Sequence, residues 1–121
     1  MADMIASRIV LAVQDLERSV TFYRDRLGFV EDFATGGWSF LSRGSCRLMI
    51  GHCPDTPPAS TLGDHNYIAY VQVTDIDDLH QEFSQRGLTP LHIPETKPWG
   101  IREMMVVTPD GHRMMFGEEM A

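Results

Sequence analysis

Two apolar runs of similar shape recur sixty positions apart. The first, Ile9 to Val13, closes at Gln14 and Asp15; the second, Ile68 to Val73, closes at Thr74 and Asp75. Both read as strands. After Asp15 the apolar positions Leu16, Val20, Tyr23 and Leu27 fall at helical spacing, and after Asp75 so do Ile76, Leu79 and Phe83. The spacing predicts one amphipathic helix behind each strand. Asp15 and Asp75 suit N-caps, their carboxylates accepting free amide hydrogens of the first turn. Gly28 and Gly87 suit the left-handed residue that stops each helix.

Short strand candidates follow: 29–33, 38–41 and 47–50 in the first half, then 89–91, Ile101–Val107 and 113–116 in the second. Gly36-Gly37, Arg43-Gly44-Ser45 and Pro109-Asp110-Gly111 supply turns. Each half therefore reads βαβββ. The expected fold class is α+β: two tandem βαβββ modules whose sheets curve around a cleft. At 121 residues one domain is expected, with module one at about 7–51, a proline-containing linker at 52–66 and module two at about 67–118. Alternation puts Ile9, Leu11 and Val13 on one face, and Ala69, Val71 and Val73 on the matching one, under the helices. Arg8, Val10 and Ala12, with Ile68, Tyr70 and Gln72, take the opposite faces.

Composition narrows the function. The formal charge of -7 and the lack of a basic cluster argue against nucleic acid. Apolar runs are too short for a membrane span, and residues 1–7 do not read as a secretory signal, so a cytoplasmic protein without a membrane partner is expected. Cys46 and Cys53 are then expected as free thiols rather than a bridge.

The chain resembles the vicinal oxygen chelate superfamily, which groups glyoxalase I, extradiol dioxygenases, fosfomycin-resistance proteins and bleomycin-resistance proteins. The resemblance is carried by 13–23 with Leu27-Gly28-Phe29, by Val73-Thr74-Asp75-Ile76-Asp77 with Arg86-Gly87, by 98–103 and by Thr108-Pro109-Asp110-Gly111-His112. Thr108 stands where the usual last turn opens with aspartate. Enzymes of the superfamily hold a divalent metal with His, Gln or Glu on the first and last strands of each module. The resemblance maps those positions onto Arg8, Met49, Ile68 and Met115. Arginine and isoleucine do not ligate a metal, and thioethers suit Mg, Mn, Ni or Zn poorly. No metal and no cofactor are therefore expected. What remains resembles the bleomycin-resistance branch, implying a metal-independent small-molecule binding protein, a homodimer whose clefts combine both chains, that sequesters an antibiotic-like ligand without chemistry. The alternative is a lyase or dioxygenase-type enzyme with a non-standard metal site, or with acid-base chemistry through Glu103 and Tyr70.

Each ligand-binding candidate has a plainer account. Trp99, between Pro98 and Gly100, can stack on a planar ligand or pack at an interface. Trp38 and Phe40 share a strand face that lines the cleft or packs under a helix. Glu103 interrupts an apolar strand and must be paired or solvated; an arginine partner is the plainer expectation. Arg8, Arg47 and Arg113 fall on the cleft side by parity. Met49 and Met115 form a soft cleft floor or plug unused space. Tyr70 completes the set. The five histidines lack ligand spacing and read as surface residues, and Cys46, His52 and Cys53 form no closed metal set. No nucleophile elbow, phosphate loop or dinucleotide glycine pattern is present, so no catalytic residue is assigned.

Overall fold

A computed structural model describes residues 1–120. The elements are β1 (Ile9–Val13), α1 (Leu16–Thr21), β2 (Val30–Thr35), β3 (Trp38–Arg43), β4 (Cys46–His52), β5 (Tyr67–Gln72), α2 (Ile76–Gln85), β6 (Glu95–Thr96), β7 (Ile101–Val107) and β8 (Arg113–Glu119). A π-helical segment, Phe22–Arg26, continues α1, and two 3-10 turns, Ala59–Thr61 and Gly63–Asn66, lie between β4 and β5. The sheets have the orders β1-β4-β3-β2 and β5-β8-β7-β6. In each, the first strand runs parallel to the last and the remaining pairs are antiparallel. The two βαβββ modules thus share one topology, and the fold is the α+β arrangement expected.

One hydrophobic cluster joins the modules. Leu11, Leu48 and Ile50 from the first sheet, Val106, Met114 and Phe116 from the second, and Tyr23, Leu27 and Phe83 from the helical segments all belong to it. Edge-to-face pairs, Tyr23 with Phe29 and Phe83 with Phe116, have ring centroids 5.7 and 5.6 Å apart, a favoured aromatic geometry. Polar ties cross the same boundary. The buried Asp110 carboxylate accepts from the Gln14 backbone N–H at 2.8 Å and from Arg18 Nη2 at 2.6 Å. Arg43 donates to both oxygens of Glu82 at 2.8 Å. Gly111, with φ of +91°, lets the last turn approach Ser60, whose Cβ would lie 2.6 Å from any added Cβ.

Three expectations need correction. Asp15 caps α1 as expected, accepting from the Arg18 N–H at 3.0 Å, but Asp75 does not cap α2. Asp75 is left-handed, with φ of 59° and ψ of 57°, and makes no side-chain cap bond. The Glu118 carboxylate arrives from β8 instead, accepting from the N–H groups of Asp75 at 2.8 Å and Ile76 at 3.0 Å. Residues 89–91 form no strand; β7 pairs with Glu95–Thr96. Pro90 lacks the donor that a ladder needs. Finally, His112 is buried rather than on the surface, at 8% exposure, and burial lowers its pKa from the ordinary histidine value.

Candidate functional site

Each sheet turns one face to the shared core and leaves the other open, as strand alternation requires. On the first sheet the open face carries Val10, Phe33, Trp38, Phe40 and Met49. Phe40 pairs with Met49 across β3 and β4, and Val10 pairs with Met49 across β1 and β4. Phe33 and Phe40 lie with centroids 5.9 Å apart. The Arg8 guanidinium sits 5.2 Å above the Phe40 ring, within cation-π range. Trp38 lies opposite Gly51, and a Cβ at that position would come within 2.9 Å of the indole. The glycine is what allows the ring to lie against β4.

The second sheet repeats the device with different chemistry. Tyr70 on β5 reaches across β8 and donates its hydroxyl hydrogen to Glu103 Oε2 on β7 at 2.8 Å. Gly117 lies beneath, where a Cβ would fall within 2.6 Å of Tyr70 Cζ. Met115 pairs with both Tyr70 and Met105, placing two half-buried thioethers beside the phenol. Partial desolvation first, and then the Glu103 carboxylate, push the Tyr70 pKa up to about 12. The phenol is therefore a fixed donor at neutral pH, and it orients a carboxylate.

The candidates fall into three places. Arg8, Trp38, Phe40 and Met49 come together on the first open face, and Tyr70, Glu103 and Met115 come together on the second. Trp99 stands apart, 66% exposed in the turn between β6 and β7. The partner of Glu103 is Tyr70 rather than an arginine; its neighbour Arg102 pairs with Asp77 at 2.9 Å. Arg113 is drawn to Asn66 and Asp64 and stacks 3.6 Å from the Tyr67 ring centroid. Gly51 and Gly117 were missed in the sequence. The signal for them was available: each lies two residues after one of the paired methionines.

The four positions at which the superfamily's enzymes hold a metal do not fit one. Arg8 donates to the Leu48 carbonyl at 3.4 Å, Ile68 is an alkyl side chain, and Met49 and Met115 offer only thioether sulfur. No group of three or more His, Cys, Asp or Glu side chains converges as a metal cluster among the described residues. Cys46 and Cys53 are free thiols. Among the described residues no helix is long and apolar enough to cross a membrane.

A pair of βαβββ modules with one shared core and one open face on each sheet defines the class of fold. The chain belongs to the Glyoxalase/Bleomycin resistance protein/Dioxygenase superfamily, whose family model matches residues 5–116. Curated relatives include the bleomycin resistance proteins of Geobacillus stearothermophilus and Staphylococcus aureus, each 27% identical over 130 residues, covering 97% of this chain and 98% of theirs. Among solved structures, a bleomycin-binding protein complexed with bleomycin is similar with a TM-score of 0.75 and 22% identity, covering 98% of this chain and 99% of that one. The bleomycin-binding protein of bleomycin-producing Streptomyces verticillus, complexed with copper(II)-bleomycin, is similar with a TM-score of 0.69 and 25% identity, covering 100% and 99%.

Proposed function

We propose that this chain is a metal-independent small-molecule binding protein that sequesters an antibiotic-like ligand. It works as one domain of two modules, in the cytoplasm, as a homodimer. The observation that carries the reading is the set Arg8, Met49, Ile68 and Met115 at the superfamily's metal positions, which has no oxygen or imidazole donor. The ligand-binding side chains are Arg8, Trp38, Phe40 and Met49 on one face and Tyr70, Glu103 and Met115 on the other, with Trp99 at the margin. The bleomycin-binding relatives support the ligand class.

Exposure supports the homodimer. Val10, Phe33 and Tyr70 are 61, 59 and 51% exposed on the open faces, the kind of apolar surface that marks an association site. A second copy setting its module-two face against the module-one face of the first would bring the Trp38 and Phe40 rings opposite the Tyr70-Glu103 pair. A planar ligand with a cationic group then meets aromatic faces on one side and an oriented carboxylate on the other.

The Tyr70-Glu103 hydrogen bond also underlies a second reading, an acid-base enzyme of the same superfamily. In that reading the phenol, held protonated, is the acid and the Glu103 carboxylate the base. The test combines elemental metal analysis with thermal shift on the purified chain, using bleomycin as the added ligand. The expected result is no stoichiometric metal and a rise in melting temperature, since ligand at a hundred times Kd adds ~2.7 kcal/mol. Trp38→Ala should weaken binding by about 1–3 kcal/mol. One equivalent of metal per chain would overturn the reading, as would consumption of ligand that Glu103→Gln abolishes while binding persists.

A further inference from the structure

Away from the open faces, a partly open cavity of about 640 Å³ lies between the modules. Its walls include Leu27, Phe29, Val73, Leu79, Phe83 and Phe116, so it lies on the helix side of both sheets. Past Ser45 and Cys46 it borders a second, partly open cavity of about 310 Å³, which is walled in part by Arg8, Arg47 and Tyr70. The two share Ser45, Cys46, Val71 and Gln72. The larger cavity alone is within the ~300–1,000 Å³ range of small-molecule sites.

Charge identifies what fits. The chain has 17 acidic and 10 basic residues, yet no Asp or Glu lines either cavity; the charged linings are Arg8, Arg43 and Arg47. Arg43 is committed to Glu82 through two hydrogen bonds. Arg47 makes no ion pair among the described residues. An apolar chamber leading to an uncommitted guanidinium suits a molecule with a long apolar part and an anionic end, because apolar walls favour the tail and the guanidinium pairs with a carboxylate.

We propose that these two adjoining cavities form a second binding site, for an elongated apolar carboxylate, with the tail between the modules and the carboxylate beside Arg47. The smaller cavity borrows Arg8 and Tyr70 from the open faces, but the larger one lies apart from them. Dodecanoate binding is read separately from antibiotic binding, so either can fail without the other. Cys46, half-buried at the junction, reports on occupancy.

The test uses dodecanoate and its neutral analogue dodecanol on the Cys53→Ser chain. Calorimetry reads binding, and mass spectrometry reads the rate of Cys46 alkylation by iodoacetamide. Dodecanoate should bind saturably at one per chain and slow alkylation at least tenfold. Arg47→Gln should weaken dodecanoate at least tenfold and leave dodecanol unchanged, while Ser45→Trp, at an exposed turn, should abolish protection by both. The proposal is overturned if dodecanoate gives no saturable protection, if Arg47→Gln affects the two molecules equally, or if Ser45→Trp folds and is still protected.

Discussion

The two modules repeat one backbone and diverge in what they display. Both place a glycine at the same step of the last strand, Gly51 on β4 and Gly117 on β8, and both lay an aromatic ring over it. In module one the ring is Trp38, set among Phe33, Phe40 and the Arg8 guanidinium. In module two it is Tyr70, tied to Glu103 and flanked by Met105 and Met115. One open face is aromatic with a cation, whereas the other presents an acid among thioethers. The repeated scaffold keeps one packing device in both halves while the exposed chemistry differs between them.

The core should show no such division. Leu48 and Met114 occupy matching places in the last strands and both are fully buried in the cluster that joins the modules. Truncation to Ala at either site should cost about 3 kcal/mol, read from urea unfolding by circular dichroism. Because the cluster is shared, each variant should still unfold in a single transition, and the midpoint should fall without a change in slope. Two separate transitions in Leu48→Ala would mean that the modules are energetically independent, and the comparison would become one of two units rather than two faces.

A smaller effect is expected from the glycines. Gly51→Ala and Gly117→Ala each put a methyl group against a ring, and overpacking of this kind costs about 1 kcal/mol or somewhat more. The rings are partly exposed and can swing away, which places the cost at the low end. The functional readouts should separate the faces. Gly51→Ala should shift the Trp38 emission and leave the Tyr70-Glu103 bond intact, whereas Gly117→Ala should break that bond and return the Tyr70 pKa from about 12 toward the ordinary tyrosine value, as followed by ultraviolet titration. A Tyr70 titration unchanged in Gly117→Ala would show that the ring does not depend on the space above the glycine.

Much of this fold was legible in the sequence because its signals are local. The strand runs closing at Asp15 and Asp75, the helical spacing from Leu16 to Leu27 and from Ile76 to Phe83, and the turn glycines all act within a few residues. Failures occurred where distant residues decide the outcome. The strand at 89–91 was read from short-range apolar content, but Pro90 removes a donor and pairing falls to Glu95–Thr96. His112 read as polar and therefore superficial, yet the turn that carries it packs against Ser60 and the β1-α1 corner through Asp110. At the site, alternation placed Trp38 with Phe40, and the family resemblance located both methionines. Tyr70 and Glu103 could be named together as an acid-base pair. Their hydrogen bond, in place of the expected arginine partner, was not legible because it spans 33 positions and requires a glycine on the intervening strand.

The helix starts give the finest test of how the modules differ. Asp15 caps its own helix, so Asp15→Ala should cost about 1 kcal/mol with a local cause. Asp75 stands at the matching place in the left-handed region, and the α2 amide hydrogens are served by Glu118 from a strand 43 positions away. Those backbone bonds, Ile76 first and Asp75 second, hold the Glu118 carboxyl below the ordinary glutamate range. A depressed folded-state pKa means that the carboxylate stabilises the fold fully above the unfolded value, about 4.3 for glutamate, and that this contribution is lost as pH falls through the folded value. The stability difference between the native chain and Glu118→Gln should therefore be present at pH 7 and shrink on acidification through that window, measured by urea midpoints at a series of pH values. If the difference persists unchanged to low pH, the charge of Glu118 is immaterial, and α2 begins where packing of the buried Ile76 alone places it.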